Sequence, residues 1–389
     1  MKKICVLLNG HIETDSRVIK EICTLSSISL VDLYCIEGVH NHNINLFNNN
    51  VRVFRFKQKK NTIQKIIKHS FFYKEFGFFS KEVLKQKIKY DYIWANDLPT
   101  LYPALQIKKQ LNSKVIYDSH EIYIETINQF FPDEASFLKK IAFKLIIKIM
   151  RGIGELAERN FLKKIDFFVT VNTSLATYFQ RKYNLSNIKV VMNCPQKKEV
   201  NTSYNFRGEF PITQSDKIVI FQGCLNKGRA LIEMIKAMQY VDDNIKMIIL
   251  GDGMLKSDLQ QLTKELHLTN KIFFKGMVSS VDLLTYTKGA DIGINLQSDI
   301  NVSKCLASAT KLFEYIHVGL PIVTTDVPES RFILEKFNIG CLVNNTPNQI
   351  AEGINQIAAK DKKYFKNSCE KAAQTYNWEK QEKIILEML

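Results

Sequence analysis

Residues 309–323 read ATKLFEYIHVGLPIV. Leu312, Phe313, Tyr315 and Ile316 recur at helical spacing, Gly319 and Pro321 stop the helix, and PIVTTD (321–326) begins a β-branched run at once. A helix that hands over to a short apolar strand across so tight a turn is one step of an alternating strand–helix chain. Within it Lys311 and Glu314 stand three residues apart, on one turn. Glu is almost never fully buried unless paired. The pair is therefore either solvated on an exposed face or part of a ligand site.

Working outward, the same alternation runs through the chain. The first half predicts strands at 3–9, 29–37, 51–56, 90–96, 114–119, 167–172 and 189–193, with helical patterns between them, as at 15–27 and 100–112. The second half predicts strands at 217–223, 245–251, 271–276, 291–296, 321–326 and 340–344. Its helices are predicted at 229–240, 255–267, 279–289, 309–318, 347–359 and 361–375. Alternation of this kind implies an α/β protein with doubly wound parallel sheets, and two such sets imply two Rossmann-like domains. The polar, aperiodic segment 194–216 reads as the linker and the entry to the second domain. The expected division is 1–198, 199–375 and a terminal segment 376–389.

At 389 residues the chain is too long for one ordinary core. No window holds 18 consecutive apolar residues, so no transmembrane helix is expected. The opening MKKICVLLNGHIETD suits a first strand better than a signal peptide, and the eight scattered Cys read as free cytosolic thiols. Charge is uneven: residues 1–200 hold 32 Lys and Arg against 18 Asp and Glu, whereas 201–389 hold 22 against 21. The first half is thus suited to an anionic partner. Nucleic acid is not expected, because no RNA- or DNA-binding pattern accompanies the charge.

In open α/β sheets ligands collect at the carboxyl ends of strands. The loops there include Asn9–Ser16 with Gly10, Gly223–Arg229, Gly251–Met254 with Gly253, and Gly276–Ser280. In FQGCLNKGRALIEMIKAM a strand ends at Gly223 and a helix is predicted to begin near Arg229, which makes an anion site of helix N–H groups with Lys227 and Arg229 beside them. The loop is neither a P-loop nor GxGxxG. Lys311 and Glu314 fall near the same sheet end, where Glu314 is placed to accept two ribose hydroxyls.

Together these residues resemble the GT-B glycosyltransferases of family 4, the retaining group-1 enzymes, over nearly the whole chain. Gly223 begins that family's phosphate motif, GDG (251–253) matches its second, FFKGMV its third, and Glu314, Gly319 and Pro321 keep the spacing of its last. Arg229 falls where the family has its diphosphate-binding Lys. Cys224 and Leu306 stand where the commonest subgroup has Arg and Glu; a branch with an NKxFEY-type motif is closer, with Thr310 for its Asn and Lys311 for its Lys. VIYDSHE (115–121) ends at a His that in the family faces the donor sugar, giving His120, with Asp118 placed to orient its ring.

The resemblance implies two Rossmann-like domains facing across a cleft, with the terminal helix crossing back to the first. It implies transfer of a hexosyl group, with retention and without a metal, from a UDP- or GDP-sugar to a lipid-linked or saccharide acceptor of the cell envelope. Implied catalytic residues are His120, Arg229 and Glu314; implied donor contacts are Gly10, Gly223, Lys227, Arg229, Gly251, Gly253, Gly276, Lys311 and Glu314. No tightly bound cofactor is expected. The departures at 224 and 306 keep open a nucleotide-sugar epimerase or a non-catalytic subunit.

Two stretches mix Lys with large apolar residues at helical spacing: 57–89, and 136–164 with Leu138, Ile141, Leu145, Ile149 and Ile153 on one stripe. Each is either a domain helix with a solvated basic face or a surface that lies against anionic lipid, which would place the protein in the cytoplasm and peripherally on the inner face of the membrane.

Overall fold

A computed structural model of the chain describes residues 1–38, 47–57, 77–131, 136–298 and 301–389. Most of the basic stretch 57–89 lies outside the described residues. The chain forms two compact units, Met1–Met192 with Gln381–Leu389, and Asn193–Lys380. The sequence reading had set the linker boundary at 198/199.

Strands of the first unit are β1 (Lys2–Leu8), β2 (Ser29–Ile36), β3 (Val51–Phe56), β4 (Tyr92–Asn96), β5 (Lys114–Ser119), β6 (Phe167–Thr170) and β7 (Ile188–Val190). Those of the second are β8 (Lys217–Gln222), β9 (Ile245–Leu250), β10 (Ile272–Gly276), β11 (Ile292–Asn295), β12 (Ile322–Thr325) and β13 (Gly340–Val343). The helices are α1 (Ser16–Ser26), α2 (Gly77–Lys85), α3 (Leu98–Leu111), α4 (Phe137–Leu162), α5 (Thr173–Tyr183), α6 (Leu231–Ala237), α7 (Lys256–Glu265), α8 (Leu283–Lys288), α9 (Val302–Leu306), α10 (Thr310–His317), α11 (Pro328–Phe337), α12 (Pro347–Ala358), α13 (Lys362–Thr375) and α14 (Trp378–Leu386).

Both sheets are parallel, in the orders β3-β2-β1-β4-β5-β6-β7 and β10-β9-β8-β11-β12-β13. This is the doubly wound α/β architecture anticipated from the alternation. Strands such as β4 and β9 carry almost unbroken apolar runs because both faces of a parallel sheet are covered. Strand order reverses between β1 and β4 and between β8 and β11, and such switch points open a crevice at the carboxyl ends.

Three expectations need correction. Helix α6 begins at Leu231, not near Arg229, because Ala230 takes a left-handed conformation (φ +42°) that ends the loop one residue later. The stretch from β11 to α10, for which the sequence reading gave no helix, contains α9, capped by the Asn301 side chain accepting from the Lys304 N–H at 2.9 Å. Helix α11 had been overlooked, although Pro328 at its first turn and the left-handed Asn338 at its end are ordinary helix punctuation. The tail of the polar segment also belongs to the second unit's packing: Tyr204 stacks on Tyr286 at 4.1 Å and Phe206 is buried.

Candidate functional site

In the second unit the chain leaves β8 through Gly223, whose φ of +130° favours glycine. A Cβ there would lie 2.6 Å from Arg229 Nη1 and 3.6 Å from Lys311 Nζ, so two cations from separate segments converge on this one backbone position. Lys311 is buried in the first turn of α10, its ammonium 3.9 Å from the centroid of the Phe221 ring. Burial, then the charge of Arg229, push its pKa down to about 7, against the smaller opposite pull of Glu314. Among the described residues neither cation is held in an ion pair. Two such groups crowded at a sheet end create an unfavourable field that a polyanion relieves.

Glu314 lies one turn further along α10, half-buried, and accepts from Gln222 Nε2. Gln222 Oε1 in turn accepts from Thr287 Oγ1 at 2.8 Å. This relay, Thr287 to Gln222 to Glu314, fixes the carboxylate's orientation. The sequence reading missed Gln222 and Thr287; the available signal was a polar residue closing an otherwise apolar strand. Tyr315 shares its hydroxyl proton between the carbonyls of Ile220 (3.2 Å) and Ile294 (3.1 Å), which ties α10 to β8 and β11 on either side of the switch point.

The glycines frame the same sheet end. Gly223 N–H donates to the Leu250 carbonyl at 2.9 Å, and Gly251 N–H to the Gly276 carbonyl at 2.8 Å. Gly253 follows in the turn before α7, where the Leu225 N–H bonds the Asp252 carbonyl at 2.8 Å. Cys224 and Lys227 are exposed on the β8 loop, one residue, Gly228, separating Lys227 from Arg229. Leu306 ends the short α9 and is half-buried.

The first unit builds a separate cluster at the carboxyl ends of β4 and β5. His120 Nδ1 is 3.5 Å from Asp97 Oδ2 and its Nε2 is 3.6 Å from Asp118 Oδ2. Burial opposes a charge on the ring, but Asp97 and Asp118 outweigh it and raise its pKa to about 10. The two carboxylates thus favour the protonated ring. Asp97 had not been singled out. Its backbone (φ +60°, ψ 165°) lies in a region almost reserved for glycine, and it is held there by bonds from its own N–H to the Asp118 carbonyl (2.8 Å) and from the His120 N–H to its Oδ1 (2.9 Å).

Asp118 carries more than the one partner anticipated. Arg17 of α1 donates to both its oxygens at 2.9 Å and to the Val191 carbonyl, and its Nε lies 2.8 Å from Glu21 Oε1 in an ion pair. Burial would raise the Asp118 pKa, yet Arg17 and His120 hold it well below the usual carboxylate range. Glu21 moves the other way, because burial and then Asp118 act against Arg17 to favour its protonated form. The ligand atoms of Glu21, Asp118 and His120 lie within 4.8 Å of one another, as a metal site requires. The Arg17 guanidinium already supplies the cation to both carboxylates, so this donor set does not fit a metal without displacing it. Gly10 follows β1 at the switch point, its carbonyl accepting from the Ile36 N–H at 3.0 Å.

Residues 204–375, which contain the Gly223, Gly251 and Glu314 segments, match the model of the family Glycosyl transferases group 1. An uncharacterized glycosyltransferase of Methanocaldococcus jannaschii is 22% identical over 305 residues, 75% of this chain and 73% of that one. An N-acetylgalactosamine-N,N'-diacetylbacillosaminyl-diphospho-undecaprenol 4-alpha-N-acetylgalactosaminyltransferase of Campylobacter jejuni is 37% identical over 65 residues, 17% and 18% of the two chains. Among solved structures, HepE of Anabaena in complex with UDP and glucose superposes with a TM-score of 0.74 at 15% identity, covering 100% of this chain and 99% of that one. The fold, two Rossmann-like parallel-sheet domains, is the one found in GT-B glycosyltransferases.

Proposed function

We propose that the protein is a retaining, metal-independent glycosyltransferase that moves a hexosyl group from a UDP- or GDP-sugar to a lipid-linked or polysaccharide precursor of the bacterial cell envelope. It acts in the cytoplasm, at the inner face of the membrane. The observation that carries the reading is the convergence of Arg229 and buried Lys311 on Gly223, one turn from the oriented Glu314. That geometry suits a nucleoside diphosphate: cations for the phosphates, a carboxylate for the ribose hydroxyls. The family match of this region and the UDP bound by HepE support it.

In the reaction the bond between the anomeric carbon and the β-phosphate oxygen breaks. The acceptor oxygen adds on the same face, and its proton passes to the departing phosphate. Charge grows on the diphosphate as the sugar becomes oxocarbenium-like, so stabilising the leaving group is the main catalytic task. Arg229 and Lys311 are placed for it, with exposed Lys227 on the same loop. His120, held as imidazolium, contacts the donor sugar as a hydrogen-bond donor and not as a base.

A thermal-shift screen against UDP, GDP and ADP tests the reading, since a ligand that binds only the native state raises Tm. One nucleoside diphosphate should stabilise the protein, and Arg229→Ala should abolish that effect while binding of the matching nucleoside persists. If no nucleoside diphosphate shifts Tm, the donor site is wrongly assigned. Binding without transfer or donor hydrolysis would mark the departures at Cys224 and Leu306 as those of a non-catalytic subunit.

A further inference from the structure

Helix α4 presents an apolar ridge to solvent. Ile141 is 53% exposed, Leu145 61%, Ile149 54% and Leu156 64%. At 100° per residue these four fall within an arc of about 80°, along about 22 Å of helix. The face that packs against the unit is the opposite one, with Met150, Gly154 and Glu158 buried. Exposed large apolar residues are ordinary when scattered singly, but a contiguous ridge marks a contact surface.

Beside the ridge runs a second, basic one. Lys144 and Lys148 are exposed, and with Arg151, Ile147, Gly152 and Glu155 they line a shallow concavity along the helix. Arg151 is committed to Glu125 at 3.0 Å, which leaves Lys144 and Lys148 as its outward charges. A ridge of Ile and Leu flanked by Lys complements a surface that is apolar inside and anionic at its rim.

From this pairing we infer that α4 docks the protein on an anionic lipid bilayer, Ile141, Leu145, Ile149 and Leu156 entering the acyl boundary and Lys144 and Lys148 meeting headgroup phosphates. A second copy of the chain fits less well, because an antiparallel self-pairing across this face would oppose the two lysine rows. The net positive charge of residues 1–200 adds longer-range attraction of the same sign. This inference extends the proposed function by naming how the protein reaches a membrane-held acceptor, yet it does not depend on the donor site.

Co-sedimentation of the full chain with vesicles tests it. Vesicles of phosphatidylcholine with about one-third phosphatidylglycerol should bind it and vesicles of phosphatidylcholine alone should not, with binding falling steeply above about 0.1 M salt. Lys144→Ala with Lys148→Ala should lower partitioning about 25-fold, two steps of about fivefold, ~1 kcal/mol each. Ile141→Ser with Leu145→Ser and Ile149→Ser should abolish it. Both variants should keep the wild-type Tm and the wild-type Tm shift with nucleotide, which separates this surface from the donor site. Equal binding to neutral vesicles, no binding, or variants that bind as wild type would each overturn the docking surface. So would an oligomer in sedimentation velocity that the triple-Ser variant dissolves, which would assign the ridge to a second copy.

Discussion

At the scale of single residues, Lys311 is the most exposed to chemical test because its environment and its proposed ligand pull it in opposite directions. In the protein by itself, burial and Arg229 lower its pKa to about 7, whereas in the unfolded chain it titrates near the ordinary lysine value. Between those two pH values the folded state binds fewer protons than the unfolded one. Lys311 therefore makes stability rise with pH across that window, and below it the cost of the buried charge is felt in full. Diphosphate binding reverses the preference, since the protonated form is the one that pairs with phosphate. Affinity for a nucleotide sugar should thus be highest below about pH 7 and fall by up to about 20-fold from about pH 6.5 to about pH 8.5. A nucleotide sugar is the right probe because its diphosphate does not itself titrate there. Lys311→Arg, charged throughout, should flatten the profile. Constant affinity of the wild type over that range would show that Lys311 does not meet the diphosphate.

At the scale of elements, the second unit's site depends on how three adjacent strands end. Gly251 has a φ of +138°, and a Cβ on it would sit 2.0 Å from the Gly223 carbonyl oxygen, which is backbone and cannot turn aside. Gly251→Ala must therefore push β8 and β9 apart at the sheet end. It should cost about 3 kcal/mol or more, read as a lowered denaturant midpoint, and should weaken nucleotide binding because the β8 loop moves with it. An alanine variant with unchanged midpoint would show that the strand ends relax freely. Much of this was legible in the sequence: apolar runs closed by Gly223, Gly251 and Gly276 located the strands and the ligand end of the sheet. What was not legible came from tertiary contact. Gln222 and Thr287 lie 65 positions apart and orient Glu314 only once β8 and α8 meet. Arg17 of α1 reaches Asp118 across 101 positions, so Asp118 read alone suggested a simple partner for His120 and not a shared one. The left-handed Ala230 had no local cue at all, since alanine is a poor residue for that conformation, and the helix start was misplaced for that reason.

At the scale of the whole molecule, net charge and the candidate diphosphate chemistry are divided between the two units in opposite senses. The cations proposed to meet a diphosphate, Arg229 and Lys311, belong to Asn193–Lys380, which is close to neutral in sequence. The charged groups at the corresponding sheet end of the first unit are paired with one another: Arg17 with Asp118 and Glu21, and His120 with Asp97 and Asp118. A nucleoside diphosphate without its sugar should then be sensed by one unit only. Linkage gives about 2.7 kcal/mol of stabilisation at a ligand concentration 100 times Kd, and it falls on whichever structure must be folded for the ligand to bind. Hydrogen exchange of the full chain with UDP or GDP present should therefore slow at the β8 loop, in the Gly251–Met254 turn and in the first turns of α10. Exchange in β1, β4 and β5, on the other side of the division, should be unchanged. The nucleotide sugar should add protection around His120, the residue proposed to meet the sugar. Equal protection of both units by the bare diphosphate would mean that the first unit holds phosphate itself, and the assignment of the diphosphate to the second unit alone would have to be abandoned.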